Sequence, residues 1–141
     1  MKAKSMHYSK TETGNVEVLA GEIGTVYKCV ADQIPPAYPC EGEKVVFIGI
    51  EGKGIDRQVT DFCRDFTPER VKNVAFYLVG AADDSHLSHI KEILKKNGIN
   101  IAGDTLIIPV KNSLFKKGKV TDADIKKVLD WAGDIVENKL V

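Results

Sequence analysis

The sequence predicts a parallel α/β fold, and three observations carry that expectation. Two unbroken apolar runs, Val45-Val46-Phe47-Ile48-Gly49-Ile50 and Val74-Ala75-Phe76-Tyr77-Leu78-Val79, have strand length and no polar alternation. That pattern belongs to strands covered on both faces, the habit of parallel sheets. Segments with apolar residues at i, i+3, i+4 and i+7 alternate with these runs, as crossover helices do. Gly, Pro and Asn punctuate the boundaries. Together they predict about five strands and four helices, with helices on both faces of the sheet.

The opening segment 2–9 has little apolar content, yet it precedes a helix as the other strands do, so it is read as a strand. Val16, Leu19, Ala20 and Ile23 form the buried stripe of the first helix, with Gly24 as its stop. Residues 25–30 (TVYKCV) read as a short second strand. Pro35, Pro36 and Pro39 forbid a regular helix in the following stretch. After the strand at 45–50, Val59, Phe62, Cys63 and Phe66 mark a helix that ends before Pro68. The strand at 74–79 is followed by a helix carrying Leu87, Ile90 and Leu94, which stops at Asn97-Gly98. Ile101 and residues 106–110 supply a last strand, interrupted at Gly103-Asp104. Thr121 to Asp124 form a capping box ahead of a final helix with the stripe Ile125, Val128, Leu129, Ala132, Ile135 and Val136.

The 141 residues, 43% hydrophobic and 28% charged, suit one core, so residues 1–141 are read as a single domain. Twenty basic against 20 acidic residues leave no net charge, which argues against nucleic acid or an anionic membrane as partner. No apolar window is long enough to span a bilayer. The basic N-terminus has no apolar segment behind it, and three cysteines cannot all pair. Both features point to reduced thiols in a cytoplasmic protein.

In parallel sheets, ligands bind beyond the carboxyl ends of the strands. The loops to examine are therefore 9–15, 50–57 and 80–85. Ser9-Lys10-Thr11-Glu12-Thr13-Gly14-Asn15 places hydroxyls and backbone N–H groups at a helix N-terminus, a natural phosphate site. Capping of the helix by Thr13 or Asn15, with no ligand, explains the same residues.

A strand, then Thr11-Glu12-Thr13-Gly14-Asn15-Val16, then a helix, resembles the FMN-phosphate loop of flavodoxins, with Val16 where that family usually has Thr. Phe47-Ile48-Gly49-Ile50 followed by a loop and Val59-Thr60-Asp61-Phe62 is similar to the family's third strand, flavin loop and helix. Phe115 to Lys119, with Asp124 and Trp131, resembles the closing segment of short flavodoxin-like proteins. The resemblance implies a flavodoxin-like three-layer sandwich, with a five-stranded parallel sheet of order 2-1-3-4-5.

It also implies FMN as cofactor and electron transport between redox partner proteins as function, an electron carrier being favoured over a substrate-specific enzyme. Cofactor binding would fall to Ser9, Lys10, Thr11, Glu12, Thr13, Gly14 and Asn15 at the phosphate. Glu51, Gly52, Lys53 and Gly54 would border the flavin ring, and Gly80, Ala81, Ala82 and Asp83 its pyrimidine edge. Asp83 and Asp84 would lower the potential, or else cap the helix that follows. Lys53 is a cation near the ring or a solvated loop residue.

Three features depart from the family. Loops 51–55 and 81–84 contain no aromatic to stack on the ring, the chain is not acidic, and prolines replace the second helix. A cofactor-free flavodoxin-like domain that binds a protein or another small anion therefore stays open beside the flavoprotein. So does a flavin-dependent reductase with an exposed ring. Asp83, His86 and His89 are weighed as a metal site and set aside, because His89 falls opposite the apolar stripe of its helix. Cys63 lies on a buried helical face, and Cys40, among prolines, is read as exposed.

Overall fold

The computed structural model describes residues 1–111 and 118–141. Strands β1 (Ala3–Ser9), β2 (Ala31–Gln33), β3 (Glu43–Glu51), β4 (Val71–Val79) and β5 (Asn100–Ile101) form a parallel sheet of order β2-β1-β3-β4-β5. A further short strand, β6 (Leu106–Ile108), also pairs with β4. The interruption at Gly103-Asp104 thus divides one edge strand into two pieces.

Among the described residues, four α-helices cover the sheet. Helices α1 (Asn15–Tyr27) and α4 (Asp122–Asp134) lie on one face, over Phe47, Ala75 and Tyr77. Helices α2 (Arg57–Arg64) and α3 (Ser88–Lys96) lie on the other, over Met6, Ile48, Ile50 and Phe76. Each central strand is sealed on both sides, which is why its sequence runs apolar without alternation. The weakly apolar β1 nonetheless lies inside the sheet, between β2 and β3. Its Ser5 is buried because the hydroxyl donates to the Ala20 carbonyl of α1 at 2.7 Å, so the hydroxyl is not left unpaired. The capping box of α4 forms as expected, with Thr121 and Asp124 each bonding the other's backbone N–H.

Three expectations are corrected. Helix α1 does not stop at Gly24, and residues 25–30 are not the second strand. The helix runs on to Tyr27 and ends where Lys28 takes a left-handed conformation (φ 56°). Gly24 has a different task. A Cβ there would lie 2.6 Å from the Cys29 carbonyl oxygen, so the glycine admits the chain as it folds back toward β2. Cys40 is likewise not exposed. It is 2% accessible, and burial pushes its thiol up to about 11.

Candidate functional site

The carboxyl ends of β1, β3 and β4 bring loops 9–15, 51–56 and 80–85 to one end of the sheet, at the point where strand order reverses. A cleft of about 430 Å³ is lined by Tyr8, Lys10, Thr11, Glu51, Gly52, Lys53, Gly54, Ile55 and Asp56. A second, of about 290 Å³, runs along Gly80 to Asp83, Ser85 and His86. Lys53 lines both clefts. Gly52 (φ 134°) holds a conformation closed to most side chains, and a Cβ at Gly52 or Gly54 would meet nothing within 4 Å. The backbone of this loop therefore faces open space. A third cleft, of about 300 Å³, lies on the other side of loop 9–15, between His7, Gln33 and the start of α1. Burial lowers the His7 pKa there, against the opposing charges of Glu17 and Asp32.

Inside loop 9–15 the polar side chains are turned on one another. The Ser9 hydroxyl accepts from the Thr11 N–H at 3.0 Å and lies 2.8 Å from the Thr11 hydroxyl. Thr13 Oγ1 donates to Glu51 Oε1 at 2.5 Å, and Asn15 Nδ2 donates to Glu51 Oε2 at 3.0 Å. Asn15 Nδ2 also donates to the Gly118 carbonyl, while its Oδ1 accepts from the Val120 N–H, both at 3.0 Å. Lys119 Nζ donates to the Thr13 carbonyl. Thr13, Asn15 and Glu51 are all buried. Gly14, at φ 76°, is the N-cap of α1 and offers no side chain. The N–H groups of Glu12, Gly14 and Val16 have no hydrogen-bond partner among the described residues.

Lys10 pairs with Asp56 at 2.7 Å, joining loop 9–15 to the start of α2. The lysine is the main reason the Asp56 carboxyl sits below its ordinary range. Asp56 caps α2 by accepting from the Gln58 N–H at 2.8 Å, while the Tyr8 hydroxyl accepts from Gln58 Nε2 at 3.4 Å. Burial, more than the neighbouring Asp56 carboxylate, raises the Tyr8 pKa. At the third loop, Asp83 accepts from the Ser85 N–H at 2.9 Å, so it caps the turn that leads into α3. Hydrogen bonds from Ser85 hold its carboxyl below the usual range. Asp84 is lowered chiefly by Lys91, at 2.8 Å. His86 and His89 are exposed, and no group of three metal-ligating side chains occurs among the described residues.

No protein-family model matches the sequence, and no curated protein matches it. The structure does match a solved one, that of oxidised flavodoxin 1 from Bacillus cereus, with a TM-score of 0.67 and 17% sequence identity. The match covers 98% of this chain and 99% of that one. The fold is flavodoxin-like.

Every residue that the sequence nominated in loops 9–15, 51–54 and 80–83 lies at this end of the flavodoxin-like sheet, lining a cleft or bonded to residues that do. Of the closing segment, Phe115, Lys116 and Lys117 lie outside the described residues. Lys119 does reach loop 9–15. Tyr8, Ile55 and Asp56 belong to the largest of the three clefts, and Tyr8 and Asp56 had drawn no role from the sequence. Tyr8 was hidden because it lies within β1, ahead of the loop that begins at Ser9. No helix among the described residues is long and apolar enough to cross a membrane.

Loop 51–56 presents glycine backbone to open space, with apolar surface from Tyr8 and Ile55, as a flavin ring would need. Loop 9–15 presents, at the start of a helix, backbone N–H groups without a partner among the described residues, as a phosphate would need.

Proposed function

We propose that this chain binds FMN and carries electrons between redox partner proteins. The observation that carries the reading is the meeting of three glycine-bearing loops at the switch point of a flavodoxin-like sheet, beside open clefts. The phosphate would rest on the backbone of residues 12–16 and on Thr11. The ring would lie along 51–55, with Gly80 to Asp83 at its edge. A flavin supplies reversible one- and two-electron transfer, and the protein supplies binding, orientation and local charge. Asp83 and Asp84, held ionised by their hydrogen bonds, would make negative charge near the cofactor costlier. Lys53 would oppose that effect.

Fluorescence titration of FMN with the cofactor-free protein tests the reading. Stoichiometric binding in the micromolar range or tighter is expected, followed by a measurable potential. Absence of binding refutes it. A second reading, a cofactor-free domain acting through a protein partner, is favoured by one specific observation. Two side-chain donors of the phosphate loop, Thr13 and Asn15, are already spent on Glu51.

A further inference from the structure

We infer that Glu51 is a resident anion, a carboxylate that occupies the side-chain donors of loop 9–15 in place of a ligand phosphate and so sets how strongly the site selects phosphorylated flavins. The inference rests on the FMN reading above and deepens it.

The two oxygens of Glu51 take the side-chain hydrogen bonds that Thr13 and Asn15 direct out of loop 9–15 toward β3, at 2.5 and 3.0 Å. One anion accepting from a hydroxyl and an amide beside a helix N-terminus is the contact a phosphate oxygen pair would make there. The carboxylate is 7% exposed, and no lysine or arginine lies within ion-pair distance of it among the described residues. Its oxygens are met by Thr13 and Asn15 at the positive end of α1, with the Lys119 ammonium standing off on the Thr13 carbonyl. A phosphate arriving at the same loop meets a like charge and finds these two donors engaged. What remains for it is backbone, together with Thr11.

Asn15 cannot turn away to serve both anions, because its Oδ1 holds the Val120 N–H and its Nδ2 also holds the Gly118 carbonyl. Glu51 comes from the end of β3 and lines the ring-side cleft beside Gly52, but both its carboxylate oxygens are turned to Thr13 and Asn15, at the phosphate end of the site.

The test compares wild type, Glu51→Gln and Glu51→Ala in titrations with FMN and with riboflavin, and in thermal melts with and without inorganic phosphate. Glutamine keeps the volume and one acceptor, but turns an N–H₂ toward Asn15. Alanine frees both donors. The inference expects each folded variant to raise the FMN-to-riboflavin affinity ratio at least tenfold over wild type, with riboflavin affinity changed less than threefold. It also expects phosphate to raise the melting temperature of the variants more than that of wild type. If alanine leaves the chain unfolded, glutamine decides. An unchanged or reduced ratio, with no added response to phosphate, overturns the inference and leaves Glu51 as a strut of the loop. If no protein in the series binds either flavin, the FMN reading fails. The phosphate melts then decide alone whether Glu51 is the resident anion.

Discussion

Replacing Asn15 by alanine removes the side chain that ties three parts of the chain together at the start of α1. Its amide reaches Glu51 on β3 and the Gly118 carbonyl, and its oxygen holds the Val120 N–H, each at 3.0 Å. The bond to the carboxylate is charge-assisted, worth about 1.5–3 kcal/mol, and each neutral bond contributes about 1 kcal/mol. Gly118 and Val120 are only half-buried, so water recovers part of the neutral pair. Glu51 is buried and recovers little. The expected loss is about 3 kcal/mol. Equilibrium urea unfolding at neutral pH measures it, with an unchanged slope showing that the transition is still the same one. A loss below about 1 kcal/mol would refute the view that loops 9–15 and 118–120 are held to β3 through this residue.

Tyr77→Phe should stabilise the protein by about 1 kcal/mol, because the fully buried Tyr77 hydroxyl has no protein partner among the described residues while its ring packs edge-on against Trp131; thermal or urea melts decide. Lys10→Ala should move the Asp56 carboxyl up toward its ordinary range, followed by its carboxyl NMR signal. Because the folded-state pKa of Asp56 is depressed, its contribution to stability is present above the ordinary carboxylate range and fades as pH falls through the depressed value; the variant should show less of that acid sensitivity. Cys40 and Cys63, with thiols pushed up to about 11 and about 12 by burial, should not react with a thiol reagent in the native protein, while half-buried Cys29 reacts slowly there, and all three should react alike on unfolding.

Most of the fold was legible because it depends on local and periodic signals. Strands β3 and β4 announce themselves as unbroken apolar runs, since only a strand sealed on both faces can dispense with polar alternation. The capping box at Thr121 and the stops at Gly98 and Pro68 are chemistry between near neighbours. The clustering of loops 9–15, 51–54 and 80–83 at one end follows from strand direction alone.

What tertiary structure decided concerns pairs distant in sequence. Gly24 reads as a helix stop, and only the returning Cys29 carbonyl shows that the glycine makes room inside the helix. Cys40 reads as exposed among prolines until Phe62, Phe66 and Arg70 close around it. Thr13 and Asn15 read as donors waiting for a phosphate. The carboxylate that receives them lies 36 to 38 positions away, on a strand whose register against β1 sets Glu51 beside Ser9. A sequence displays the donors of a site, because residue type determines them. Which acceptor satisfies them depends on which backbone ends the sheet brings within 3 Å, and that is a property of the packed chain.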